Sequence, residues 1–398
     1  MTAEQLGGSG GLTSEQLGGQ LDRTERHLRK QALRGYDPYD ALCSPLFRLP
    51  VLRSNRLIRF GSQQTVKRLP IDVRPLLRVP AQLNAVTVAL ALQGSAYRSQ
   101  VGDGPDDRRA EAERWVALLG GLVSPGWSGA CWGYPFDWEG RYTSLPANTP
   151  TVVATGMVAN ALAAADDAFD LPEARALIRG AAAFVLNDLQ RSAGDDGSFC
   201  WSYSPLDHQV VLNATLKGSR LLAQAHGRGA DGDVLEPAAR SARFVINHQA
   251  LSGAWPYAVG DTRRWADNFH TGYVLECLAE YRRLSGDFGV SAALARGWGY
   301  YRGNFFAEDS TPKYYDDRVL PIDATACAQS VITLCAFGDV ETAARAAARS
   351  VALLGLPDGS FAYQRRARRL VRIPFLRWST AWMYCALARL SVDLMVAR

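Results

Sequence analysis

The stretch TVVATGMVANAL, residues 151–162, is apolar or small at nearly every position and carries Thr155 in its middle. The same pattern returns in VVLNATLKGSRLL (210–222) around Thr215 and in NFHTGYVLECL (268–278) around Thr271. It returns again in PIDATACAQSVITL (321–334) around Thr325 and in RWSTAWMYCALARL (377–390) around Thr380. The intervals between these threonines are 60, 56, 54 and 55 residues. An earlier segment, QLNAVTVALAL (82–92), fits with Val86 in the threonine's place, 69 residues before Thr155. A pattern repeated at near-constant spacing marks a supersecondary unit that covers its apolar face only by stacking on neighbours.

Each copy reads as a helix, because apolar residues recur at three- and four-residue spacing over a stretch too long for a buried strand. Helices apolar nearly all round are buried on every side. Between them lie DRRAEAERWVALLGGL (107–122), PEARALIRGAAAFVLNDL (172–189), EPAARSARFVINHQ (236–249), GVSAALARGWGYYRGNF (289–305) and VETAARAAARSVALLG (340–355). These keep arginines and acids on one face and belong outside. SEQLGGQLDRTERHLRKQALRGY (14–36) supplies a sixth. Six inner and six outer helices predict an all-α fold, an (α/α)6 toroid. Residues 1–79 read as the first outer helix plus an irregular basic linker, and residues 80–398 as the remainder of one toroid. In the linker, eight basic residues and one acid fall from Arg48 to Arg78.

Inner-to-outer turns are short and Gly/Asp-rich: VGDGPDD, ADDAFD, RGADGD, LSGDF and FGDV. Outer-to-inner loops are long and aromatic, as in SPGWSGACWGYPFDWEGRY, and long loops at one end of a rigid scaffold are where sites are built. They meet the N-termini of the inner helices, whose free N–H groups favour anions. The chain's 44 basic and 39 acidic residues leave +5, too mild a charge to imply nucleic acid. No apolar run approaches the length of a membrane span, so no transmembrane segment is expected. The start, MTAEQLGGSGGLTSEQLGG, lacks the basic and apolar regions of a secretory signal. Seven cysteines with no CxxC pair predict reduced, buried thiols and a cytoplasmic protein.

FVINHQALSGAW resembles the QW repeat of squalene and oxidosqualene cyclases. Phe244, Val245 and Gln249 are followed by Gly253-x-Trp255, and FVLNDLQRSAGDDGSF is a looser copy. Similar G-x-W/F loops occur in protein prenyltransferases and six-hairpin glycosidase-like enzymes, so the resemblance implies the toroid and not the chemistry. PIDATA also resembles the D-x-D-D-T-A motif of class II terpene cyclases, with Asp323 on the position of the acid and Pro321 and Ala324 replacing the flanking acids. DDAFD (Asp166, Asp167, Asp170) matches the DDxxD magnesium motif of terpene synthases. It falls in an inner-to-outer turn, away from the aromatic loops, where acids serve as helix N-caps.

Acids recur just before the inner helices: Asp137, Glu139, Asp207, Asp267, Asp316, Asp317 and Asp323. Facing carboxylates suit acid–base work on a glycosidic bond. His208 and His270 sit at inner-helix starts beside Asp207 and Asp267. Asp267, His270, Tyr315 and Asp323 are expected to share one catalytic pocket. Asp137, Trp138, Glu139, Arg141, Asp207, His208, Trp255, Tyr257, Asn268, Tyr314, Asp317 and Trp378 are expected to bind substrate. Six arginines and no acid from Arg365 to Arg377 suit an anionic ligand. The expected function is a carbohydrate-active enzyme, of glycoside hydrolase or uronyl lyase type, acting on an anionic oligosaccharide or other small molecule. No metal or cofactor is expected. The alternatives are a terpenoid cyclase-like enzyme using Asp323 as acid and a non-catalytic binding toroid. The sequence leaves the oligomeric state open.

Overall fold

The computed structural model describes residues 11–102 and 108–397. Most of the VGDGPDD turn, and the first ten residues of the segment read for a secretory signal, lie outside the described residues. The helices are α1 (Ser14–Lys30), α2 (Pro50–Ser54), α3 (Arg56–Arg68), α4 (Ala85–Gln100), α5 (Arg108–Gly121), α6 (Val152–Phe169) and α7 (Pro172–Asp188). They continue with α8 (Leu212–His226), α9 (Leu235–Asn247), α10 (Asn268–Ser285), α11 (Ser291–Asn304), α12 (Ala324–Ala336), α13 (Val340–Leu354) and α14 (Ala381–Val396).

The inner helices α4, α6, α8, α10, α12 and α14 each pack on the next, and α14 packs back on α4 to close the ring. They are buried nearly all round: every residue of α8 from Leu212 to Ala225 is buried. The outer helices α1, α5, α7, α9, α11 and α13 bury one stripe each, such as Ala238, Ala242 and Val245 of α9. The expected toroid of six inner and six outer helices is the fold observed.

The repeating threonines all stand in or just before the first turn of an inner helix. Thr155, Thr215 and Thr271 are the fourth residues of their helices, Thr325 is the second of α12, and Thr380 immediately precedes α14. All five are buried. The Thr155 hydroxyl accepts from Trp132 N (3.1 Å), and that of Thr380 accepts from Phe361 N (3.3 Å). Thr215 reaches Trp201 O (3.5 Å). In these three repeats one hydroxyl fastens the preceding loop to the inner helix. The QW resemblance has a similar mechanical meaning. The Gln249 amide donates to Gly253 O (3.0 Å) in the loop and to Ala293 O (2.9 Å) on α11, while the Trp255 indole donates to Val245 O (3.0 Å). Gly253 has φ +93°, and a Cβ there would lie 2.4 Å from Arg296 O, so only glycine fits.

Short antiparallel strand pairs tie off the long loops. Arg34–Gly35 pairs with Gln82–Leu83, so residues 36–81 form an excursion returning to where it left. This excursion is not the irregular linker expected of residues 35–79. Asn55 caps α3 by accepting from Leu57 N and Ile58 N. Arg56 and Arg59 of α3 donate to Glu139 (3.0 and 3.1 Å), and Arg59 also donates to Asp137 (3.1 Å). These ion pairs hold α3 over the loop end of the ring.

Val152–Phe169 is long and apolar enough to cross a membrane by length and composition, and 72 % of it is buried inside the ring as α6. All seven cysteines are free, and six are buried.

Ring closure depends on close approach. A Cβ on Gly94 of α4 would lie 2.4 Å from the Tyr384 ring of α14, whereas one on Gly18 of α1 would meet nothing within 4 Å. Gly94→Ala is therefore expected to cost about 1–3 kcal/mol through overpacking. Gly18→Ala should gain up to about 1 kcal/mol from helix propensity. Urea denaturation of the two variants checks this.

Candidate active site

The long loops and the N-terminal ends of the inner helices enclose a cavity of about 470 Å³. That lies within the range of about 300–1,000 Å³ typical of small-molecule sites. Half of its thirty lining residues are aromatic. Its cations are Lys67, Arg68, Arg141, Arg263 and Arg377, and among the described residues Asp267 is its one carboxylate.

Asp267 caps α10. Its Oδ1 accepts from His270 N (3.0 Å), and its Oδ2 accepts from Trp265 Nε1 (3.2 Å) and meets His270 Nδ1 at 2.7 Å. The Asp267 side chain is 2 % exposed and that of His270 is 23 % exposed. An ionised carboxylate can only accept, so the Nδ1 proton of His270 points to Asp267 and Nε2 is left as a base. The imidazole is bracketed by the rings of Tyr257 (4.5 Å between centroids) and Phe269 (4.1 Å). Burial pushes the hydroxyls of Tyr203, Tyr257, Tyr273 and Tyr314 above the ordinary phenol range. Tyr315 is shifted upward too, by burial first and by the Asp267 charge second. These tyrosines remain proton donors at neutral pH.

Of the expected catalytic group, Asp267, His270 and Tyr315 meet at the cavity, and a backbone bridge joins Asp267 to Tyr315. Asp323 does not join them. It is fully buried and caps α12, accepting from Thr325 N (2.9 Å) and Ala326 N (3.3 Å). Its other oxygen accepts from Gln364 Nε2 (2.7 Å) and Trp378 Nε1 (3.4 Å). Thr325 and Trp378 face the cavity and Asp323 does not.

Trp138, Arg141, Tyr257, Tyr314 and Trp378 line the cavity, as expected of substrate-binding residues. Seven others do not. Asp137 and Glu139 are engaged by Arg59 and Arg56 and anchor α3. Asp207 is buried in its own turn, accepting from Tyr203 N (3.2 Å), Gln209 N (3.0 Å) and the Ser204 hydroxyl (2.5 Å). His208 is exposed. Trp255 packs where a Cβ on Gly297 would clash with it. Asn268 is buried and accepts from Tyr301 (2.8 Å) and Ser330 (3.0 Å). Asp317 is exposed and paired with Arg318 (2.8 Å). Of the arginines from 365 to 377, only Arg377 reaches the cavity, where Asp37 holds it bidentately.

Asp166, Asp167 and Asp170 lie outside the cavity lining and pair with Arg228 and Arg175. Asp170 is not the N-cap expected of acids in these turns. It ends α6 with φ 54°, and Leu171 precedes α7.

Sequence reasoning missed Tyr39, Phe60, Gln64, Lys67 and Arg68, all from the excursion. It also missed Met157, Tyr273 and Trp382, which enter from inner helices. Lys67 lies over the Tyr39 ring, 4.1 Å from its centroid, and bonds its hydroxyl. Among the described residues no group of three His, Cys, Asp or Glu could hold a metal ion.

No family model matches the chain, and no curated protein matches its sequence. Its fold is found among solved structures. One is a possible member of glycoside hydrolase family 105 from Salmonella enterica, with TM-score 0.62 and 13 % identity over 97 % of this chain and 96 % of that one. Cellobiose 2-epimerase from Bacillus thermoamylovorans superposes with TM-score 0.60 and 10 % identity over 81 % and 90 %. The family 76 α-mannanase of Bacteroides thetaiotaomicron gives 0.59 and 10 % over 79 % and 88 %. The fold is six-hairpin glycosidase-like. Several of its structural neighbours are named as carbohydrate-active enzymes, at low identity.

Burial raises the Asp323 carboxyl to about 6, partly opposed by the bonds from Gln364 and from the backbone and indole N–H groups. An unfolded aspartate titrates near ~4. Between these values the folded state binds more protons than the unfolded one. The stability tied to this group is therefore present at low pH and lost as pH rises through about 6. Asp323→Asn should remove that dependence. Its stability relative to wild type should improve by roughly 2 kcal/mol from about pH 4 to pH 7, read by urea denaturation at the two pH values.

Proposed function

We propose that the protein is a carbohydrate-active enzyme that moves protons on an anionic sugar, by elimination or epimerisation rather than two-carboxylate hydrolysis. One observation carries this reading: the single carboxylate on the cavity wall, Asp267, is committed to His270. Hydrolysis by a facing pair of carboxylates has no second partner here. A histidine oriented by a carboxylate is instead a general base.

In this reading His270 Nε2 takes the proton from a carbon activated by a neighbouring carbonyl or carboxylate. Asp267 fixes the imidazole tautomer and stabilises the imidazolium that forms. Tyr315 returns a proton to the leaving oxygen or to the opposite face of the carbon. Trp138, Tyr257 and Trp378 supply ring faces for the sugar. Lys67, Arg68 and Arg141 have no carboxylate partner among the described residues and supply the charge that meets the anionic group. The fold shared with a cellobiose 2-epimerase and an α-mannanase supports a sugar as the ligand. The cyclase alternative loses its acid, because Asp323 is sealed behind Thr325 and Trp378.

The test is incubation with a panel of uronate oligosaccharides and hexuronates in deuterated water. Proton NMR follows exchange at carbon, and ultraviolet absorbance follows formation of a new double bond. Wild type should show one or the other. His270→Asn should lower kcat by about 10²–10⁴-fold with KM little changed. Asp267→Asn should also lower kcat, because its amide can donate to Nδ1 and select the wrong tautomer. Ligand binding with no exchange, elimination or hydrolysis on any substrate would leave the non-catalytic toroid as the correct reading.

A further inference from the structure

The excursion that roofs the cavity presents an unusual outer surface. Leu46, Leu49, Val51, Leu57, Ile71 and Leu76 are between 49 % and 83 % exposed. They fall within 31 consecutive residues, 46–76. Scattered exposed leucines need no explanation, but a concentration of this kind marks an interaction surface.

The helical geometry of α3 shows that the exposure is not an accident of loose packing. Gln63 and Val66 are buried against the body of the protein, and Arg59, on the same side, pairs with Asp137 and Glu139. Phe60, Gln64 and Lys67 turn to the cavity. The remaining face, bearing Leu57 at 82 % exposure, has no partner in the fold.

The same excursion is basic. Arg48, Arg53 and Arg78 are exposed and have no carboxylate partner among the described residues, and Asp72 is the one acid from Arg48 to Arg78. A second basic stretch arrives from elsewhere in the chain. The hairpin of Gln364–Arg366 and Arg369–Val371 is fastened to the end of α3 by Arg366, which donates to Arg68 O (2.9 Å). It carries exposed Arg368 and Arg369 to the same region, with Arg372 just beyond.

We propose that this face docks on an anionic lipid bilayer, with the leucines entering the headgroup boundary and the arginines pairing with lipid phosphates. Apolar and basic side chains alternate along the segment, which is the composition of interfacial anchors. A protein interface of the usual kind gathers its apolar residues in a charge-depleted centre. A nucleic-acid surface would have no use for exposed leucines. Charge complementarity therefore selects the membrane. The inference is independent of the sugar chemistry, although docking would turn the cavity mouth toward the bilayer.

The experiment is flotation of the full chain with vesicles of equal parts phosphatidylglycerol and phosphatidylcholine, against vesicles of phosphatidylcholine alone. Wild type should float with the anionic vesicles only. Arg48→Glu with Arg53→Glu should weaken binding by at least about tenfold, since each basic residue near such a surface contributes about fivefold. Leu49→Asn with Val51→Ser should also reduce flotation, and thermal melts of both variants should match wild type. These residues are exposed and outside the cavity, so the variants should fold. The proposal is overturned if wild type stays in the soluble fraction with anionic vesicles, or if both well-folded variants float as well as wild type. It is also overturned if the leucine variant alters only self-association in sedimentation velocity, or if the arginine variant alters only retention on heparin. Failure of the substrate panel above leaves these outcomes unaffected.

Discussion

The contact between α14 and α4 holds the rest of the structure in place. Five of the six contacts between inner helices follow the order of sequence, but the sixth must join the last helix to the first across almost the whole chain. Without that contact the ring is an open stack whose two terminal apolar faces are uncovered. The N-terminal helix α1 makes the closure secure by packing on α14 from outside. Glu25 of α1 then receives Arg98 from the end of α4 and Arg108 from the start of α5 (3.1 Å). Desolvation alone would raise the Glu25 carboxyl. The facing guanidinium groups outweigh it and hold the carboxyl below its ordinary value. The chain's first outer helix is thus fixed by charge as well as by apolar area, at the seam where the ring must not open.

The closed ring determines what the site can be. Inner helices buried on all sides present only their N-terminal ends to the loops, so cavity chemistry comes from caps and first turns. Asp267 and Asp323 occupy the same place on neighbouring repeats, and both cap their helices. What separates them is the second oxygen. In Asp267 it meets a histidine one turn along the same helix. In Asp323 it is consumed by Gln364 and Trp378, which come from the following loop. One capping position therefore serves as a charge aimed at the cavity in one repeat and as a loop anchor in the next.

This difference explains how far the sequence could be read. The toroid was legible because it rests on periodicity: apolar helices at near-constant spacing, with threonines of which three bond the preceding loop. Asp267 with His270 was legible because the partners are three residues apart on one helix. Asp323, Glu139 and Asp207 were misread because their partners are distant in sequence or are backbone groups, and a capping acid looks the same from either side. Residues 56–68 hid their helix for a related reason. Prolines at 50 and 70 and a basic composition suggest a linker, whereas α3 is stabilised by Arg56 and Arg59 meeting acids some eighty residues away. The aromatic wall was half visible. Rings in loops were expected, but Tyr273 and Trp382 enter from inner helices and read as ordinary core.

The cavity that results has an unusual charge balance for its aromatic content. Desolvation keeps its phenols protonated, and its one carboxylate is spent on His270. Arg263 and Arg377 are neutralised by Asp261 and Asp37, and both lie over rings. Lys67, Arg68 and Arg141, with the positive ends of the inner helices, are left to set the potential at the mouth. Under the proposed function, such a cavity would draw an anionic group to these cations and set it against rings and an imidazole backed by a buried carboxylate. A proton leaving carbon beside a carboxylate needs a base that is not itself repelled by that anion. A histidine held by a carboxylate behind it fulfils that condition, whereas a pair of exposed carboxylates would not.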